Sequence, residues 1–80
     1  SSTDPPPEAL ADRAQRQRQM RAALLRLTPE QRQVILLRFY QELDPAETAA
    51  ALGRPTGAVK SLQHRALAAL RRLLTQEDAE

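Results

Sequence analysis

One signal for the start of a helix occurs twice in this chain. Thr28-Pro29-Glu30-Gln31 and Asp44-Pro45-Ala46-Glu47 each set out a capping oxygen, a proline, and a Gln or Glu three residues after the cap. In such a box the cap accepts from the free N–H three residues on, whose side chain reaches back to the cap's own N–H. The proline supplies a preset φ where no N–H partner is needed. The second box opens a helix that can run only to Leu52, because Gly53 supplies a left-handed stop and Arg54-Pro55 follows. Two turns of helix do not hold by themselves, so this segment must pack against neighbours. Thr56 is expected to cap a longer helix from Gly57 to about Leu74, with Val59, Leu62, Ala66, Ala69, Leu70 and Leu73 on its inner face. Before the first box, Glu8 to Leu27 reads as an amphipathic helix with a frayed start, its apolar stripe Leu10, Ala14, Met20, Leu24 and Leu27 interrupted at Gln17. Of 33 apolar residues 27 are Ala or Leu, against two Val and one Ile, which favours helix over strand. The expectation is an all-α, four-helix domain with a helix-turn-helix formed by helices 3 and 4.

Eighty residues allow one small domain and no large catalytic cleft. Residues 1–7 (SSTDPPP) read as a linker remnant, 8–74 as the domain and 75–80 as a flexible acidic tail. There is no cysteine, hence no disulfide or thiolate metal site, and the single His64 cannot build a zinc site alone. The apolar runs, such as Ala22 to Leu25, Val34 to Leu37 and Ala66 to Leu70, are far short of the ~20 residues that cross a bilayer. No signal peptide is visible, so a cytoplasmic protein without membrane association is expected. No Ser or Cys stands in a catalytic motif, and the carboxylates sit in caps and tails where structural roles suffice. The chain is expected to be no enzyme, with no cofactor, metal or small-molecule ligand.

The formal charge of +2 conceals a segregation. All 12 basic residues lie between Arg13 and Arg72, where only Glu30, Glu42, Asp44 and Glu47 oppose them, a local balance of +8. From Arg54 to Arg72 there are five basic residues and no acid. That basic stretch is the second member of the expected helix-turn-helix. Ala49 would let the two helices approach closely, Gly53 would take the positive φ of the turn, and Leu52, Val59 and Leu62 would lock the angle. Such a unit projects the N-terminal half of its second helix into the DNA major groove, where base edges can be read. The outward face is then Lys60, Ser61, His64, Arg65, Ala68, Arg71 and Arg72. Arg54 and Gln63 flank it, and Thr56 with the free N–H groups of the first turn suits a phosphate.

The run LTPEQRQVILLRFYQELDPAETAAALGRPTGAVKSLQHRALAALRRLL, from Leu27 to Leu74, resembles region 4 of bacterial sigma factors, most closely those of the extracytoplasmic-function group. Three segments match together: LTPEQRQVILLR, AETAAALG and GAVKSLQHRA. The resemblance implies recognition of the upstream, −35 element of promoter DNA while docked on the RNA polymerase core through the β-subunit flap, with an anti-sigma factor as a further partner covering the same surfaces. It also implies that Arg38, near the end of the second helix, and Lys60, Ser61, His64 and Arg65 are DNA contacts. The chain departs from the family where Leu62 replaces a frequent basic residue, Gln63 an apolar one and Thr48 the usual Ile.

Plainer readings stand beside these. Arg38 is spaced to pair with Glu42 one turn later. Arg13, Arg16, Arg18, Arg21 and Arg26 read as a solvated face. Phe39 and Tyr40, the only aromatics, read as core residues, and their scarcity argues against single-strand or RNA binding. A response-regulator output domain, which would dimerise, and a helical protein-interaction module without DNA binding remain alternatives at this point.

Overall fold

A computed structural model describes residues 7–78, so the expected linker, apart from Pro7, and the last two residues of the expected tail lie outside the described residues. Among these residues the chain forms four helices: α1 (Pro7–Arg26), α2 (Pro29–Ile35) continuing into a π-helical turn (Leu36–Tyr40), α3 (Pro45–Leu52) and α4 (Thr56–Asp78). Helix α4 is the axis of the fold, with α1, α2 and α3 all packed against it.

Both capping boxes form. Thr28 Oγ1 accepts from Gln31 N–H and the Gln31 carboxamide accepts from Thr28 N–H, each at 3.2 Å. Asp44 Oδ1 accepts from Glu47 N–H at 2.7 Å and Glu47 Oε1 from Asp44 N–H at 2.9 Å. At α4 the expectation needs correcting. The helix begins at Thr56, which is its first residue and not its cap, and Val59 N–H bonds back to Pro55 O at 3.1 Å. It also runs on to Asp78, past the expected end at Leu74, so Thr75 to Asp78 continue the helix.

The core draws Ala23, Leu24 and Leu27 from the end of α1, Val34 and Ile35 from α2, Ala49 from α3, and Val59, Leu62, Ala66, Ala69 and Leu70 from α4. Only the second half of α1 takes part: Leu10 is 48% exposed, and packing begins with Met20. Four of these positions are alanine, which brings the helix axes close together and leaves no room between them for a ring. Phe39 and Tyr40, expected in the core, are accordingly 47% and 59% exposed. They sit on the π turn, past the last core layer. Arg38 places its guanidinium 5.7 Å from the centre of the Phe39 ring, and Tyr40 borders a groove with Gln17, Met20, Arg21 and Leu24 of α1.

Main-chain oxygens tie the α1–α2–π segment together. Arg32 reaches back from α2 to the end of α1, where its Nε donates to Leu24 O at 3.0 Å and its Nη2 to Leu27 O at 3.2 Å and Leu25 O at 3.3 Å. Carbonyls at a helix end lack partners within the helix, and of these three Leu24 O also accepts from Leu27 N–H at 3.2 Å. The π turn is closed by Gln41 N–H on Leu36 O at 3.0 Å. Glu42 then adopts φ 58°, and Leu43 N–H folds back on Leu37 O at 2.9 Å.

Candidate nucleic-acid interface

The helix-turn-helix is assembled from α3, Gly53-Arg54-Pro55 and the first half of α4. Buried Ala49 presents only a methyl group to α4, which permits the close approach. Gly53 takes φ 67° and ψ 37°, and Arg54 N–H then closes the helix end on Ala49 O at 3.0 Å. In that left-handed region a side chain is strained whatever space surrounds it. Thr48 is fully buried, and its hydroxyl donates to Asp44 O at 2.9 Å, so threonine fills the place of the family's isoleucine without an unsatisfied polar atom.

Val59, Leu62 and Ala66 face inward, and Leu62, where a basic residue is frequent in the resembling family, belongs to the core. That fixes the rotation of α4. Lys60, Ser61, His64, Arg65, Ala68, Arg71 and Arg72 all face solvent, as the spacing predicts. Arg65 Nε lies 3.4 Å from Ser61 O and can donate along its own helix. At the start of α4 Pro55 holds the cap position and offers no side-chain acceptor to the N–H groups of Thr56, Gly57 and Ala58.

The structure therefore brings Lys60, Ser61, His64 and Arg65 onto one exposed surface with Thr56 at its head. It treats the other three candidates differently. Arg54 makes an ion pair with Glu30, at the beginning of α2. Arg38 does not pair with Glu42; its Nε donates to Gln63 Oε1 at 2.9 Å and its Nη1 to the main-chain oxygen of Leu43. Gln63 is thus half-buried on the flank of the recognition face. These pairs join residues far apart in sequence, and no local spacing announces either of them. Arg13, Arg16, Arg18, Arg21 and Arg26 are all exposed on α1, the solvated face expected of them. Among the described residues no cluster of three or more His, Cys, Asp or Glu could hold a metal, and no helix is long and apolar enough to cross a membrane.

Comparison with known proteins fits this geometry. RNA polymerase sigma-E factor of Streptomyces coelicolor is 44% identical over 98% of this chain, and the ECF RNA polymerase sigma factor SigX of Bacillus subtilis is 44% identical over 82% of it. The chain spans about half the length of the first of these relatives, 46%, and 34% of the second. A chain in the solved 1.8 Å structure of the RsbN-BldN complex superimposes with a TM-score of 0.70 at 41% identity, covering 82% of this chain and 46% of that one. Residues 23–72, which span the end of α1, the α2–π segment and the whole helix-turn-helix, match the model of Sigma-70, region 4. With the matched span taking in every buried core position and the recognition surface, the chain belongs to the Sigma-70, region 4 family.

Proposed function

We propose that this chain is the promoter-recognising part of an alternative sigma factor of the extracytoplasmic-function group, and that it reads the −35 element with the outward face of α4 while docked on RNA polymerase. The observation that carries the reading is the pairing of an acid-free recognition face with a turn that aims it. Lys60, Ser61, His64 and Arg65 stand exposed on the half of α4 that follows Gly53, and the core residues on the opposite face leave the helix no other rotation. A helix so presented fits the major groove. Lys60 and Arg65 contact phosphate or a guanine edge, Ser61 and His64 lie against base edges, and the free N–H groups at Thr56 take a phosphate. The work is binding, not catalysis, and its setting is the cytoplasm, where polymerase and DNA are.

Protein partners are supported by a different surface. Leu36 and Leu37 of the π turn form a groove with Ala51 and Leu52 of α3, edged by Gln33 and Gln41, and this apolar strip suits the flap of the β subunit. The relative BldN is found in complex with RsbN; an anti-sigma partner of this chain would occupy the same surfaces.

Alone, the domain binds DNA weakly through a few phosphate contacts, and tethering to polymerase raises its effective concentration at the promoter. The test has two parts. Titration of a labelled duplex over a salt series should show affinity falling with salt, and Lys60→Ala with Arg65→Ala in the full-length factor should lower promoter-dependent transcription by at least about tenfold. Unchanged transcription in that double variant refutes the proposal.

A further inference from the structure

Arg38 and Gln63 form the one side-chain to side-chain hydrogen bond between the π turn and α4 among the described residues. The guanidinium is held on two sides, by Gln63 Oε1 at 2.9 Å and by the main-chain oxygen of Leu43. That second acceptor is itself fixed, because Leu43 N–H returns to Leu37 O across the turn. Arg38 is thus a clamped, half-buried group and not a free surface cation.

The clamp dictates how Gln63 is oriented. A guanidinium has donors and no acceptor, so the amide atom facing Arg38 is the oxygen and the NH2 group points the other way. No side-chain nitrogen or oxygen is buried without a partner among the described residues, so the Gln63 nitrogen, which has no protein acceptor there, is open to solvent. Gln63 itself stands in the turn of α4 between Lys60 and His64, half-buried on the flank of the recognition face.

A glutamine with both ends free reads adenine in the major groove by donating to N7 and accepting from N6. Here the charged donor holds the oxygen toward the π turn and leaves the NH2 end as the free one, so the paired donate-and-accept contact with adenine is not available. We propose that Arg38 is a positioning residue which turns Gln63 into a donor-only reader. The base beneath residue 63 is thereby selected for guanine, whose O6 and N7 are both acceptors, or for thymine through O4; adenine keeps one acceptor, N7, and is disfavoured because its N6 amino group meets a donor where it needs an acceptor. This assignment rests on the promoter-recognition reading above and specifies one element of its sequence preference.

The test is selection of bound duplexes from a pool with a randomised window, at low salt, using the 80-residue chain and sequencing the bound fraction. The unaltered chain should favour guanine or thymine over adenine by about fivefold or more at one base position. Gln63→Met and Gln63→Glu remove the donor and should flatten that position alone. The second keeps an acceptor for Arg38, so the fold's own contact is retained. Arg38→Met, checked for native helix content, releases the amide and should raise the adenine fraction at the same position by about fivefold. If Arg38→Met lowers binding equally for all sequences, or if neither Gln63 variant alters any single position, the assignment is overturned while the DNA reading stands. A chain that enriches no sequence at all overturns both.

Discussion

Removing Arg32 should destabilise this domain more than removing any arginine of α1. Two of its bonds, to Leu24 O and Leu27 O, are partly shielded from water, and the third, to Leu25 O, is exposed. A shielded bond from a charged donor contributes about 1 kcal/mol after solvent competition, an exposed one close to nothing, and a cation at a helix C-terminus about 0.5 kcal/mol more. Arg32→Met therefore costs roughly 2–3 kcal/mol, because Leu27 O loses its side-chain donor, Leu24 O keeps only Leu27 N–H, and the cation at the helix end is gone. For a domain of this size each kcal/mol moves Tm by about 4–8 °C, which puts the expected fall at roughly 8–24 °C by circular dichroism at 222 nm. Arg32→Lys retains the charge but not the fork that serves three carbonyls at once, and should recover less than half of the loss. Arg16→Met on exposed α1 is the control, with a change within about 0.5 kcal/mol. An Arg32→Met variant that melts together with the Arg16→Met control would refute the claim that this arginine closes the end of α1.

Three further outcomes are expected. Gly53→Ala meets no atom within 4 Å, so its cost is backbone strain alone at φ 67°: about 1 kcal/mol in urea unfolding, with DNA affinity reduced in parallel if the turn aims α4. Glu42→Gly acts oppositely, since Glu42 already holds φ 58°; relief of that strain exceeds the added chain entropy by about 0.5 kcal/mol, and a lower urea midpoint would contradict it. Glu30→Gln frees Arg54 from its ion pair, and duplex affinity at low salt should rise two- to threefold, with the salt dependence steeper by about one ion; an unchanged salt slope would mean that Arg54 does not face the DNA.

What the sequence discloses and what it withholds divide along the range of the interactions. The two capping boxes, the left-handed Gly53, the inner face of α4 and the outward row Lys60, Ser61, His64 and Arg65 are all set by neighbours within a turn or two, and each is found where the residue pattern puts it. Thr56 suits a cap by residue type, yet the helix starts one residue earlier than that role requires, and Pro55 holds the cap position. Phe39 and Tyr40 are misread by hydropathy because their fate depends on the space left between helices that alanines draw together. The π turn has no signature in composition; it accommodates one extra residue before Glu42 turns the chain, and it aims Arg38 at Gln63 instead of along its own helix at Glu42.

The basic residues show the same division and give it functional content. In the sequence they form a single pool, +8 between Arg13 and Arg72, which taken as a uniform field would imply strong unaided binding to any polyanion. Folding divides the pool. Arg32 closes a helix end, Arg38 is clamped between Gln63 and Leu43, and Arg54 is neutralised by Glu30, while five arginines lie along α1. On the outer face of α4 that leaves Lys60, Arg65, Arg71 and Arg72, and the last pair begins about 16 Å along the helix from Lys60, at 1.5 Å per residue. A groove-inserted helix start engages the first two fully and the last two at most at its margin. On the proposed promoter-reading function, so few phosphate contacts give a shallow salt dependence and weak binding, and sequence choice falls to Ser61, Gln63, His64 and Arg65. A reader built this way discriminates without holding tightly, which is what a domain needs if a larger machine is to supply its affinity and afterwards leave the promoter.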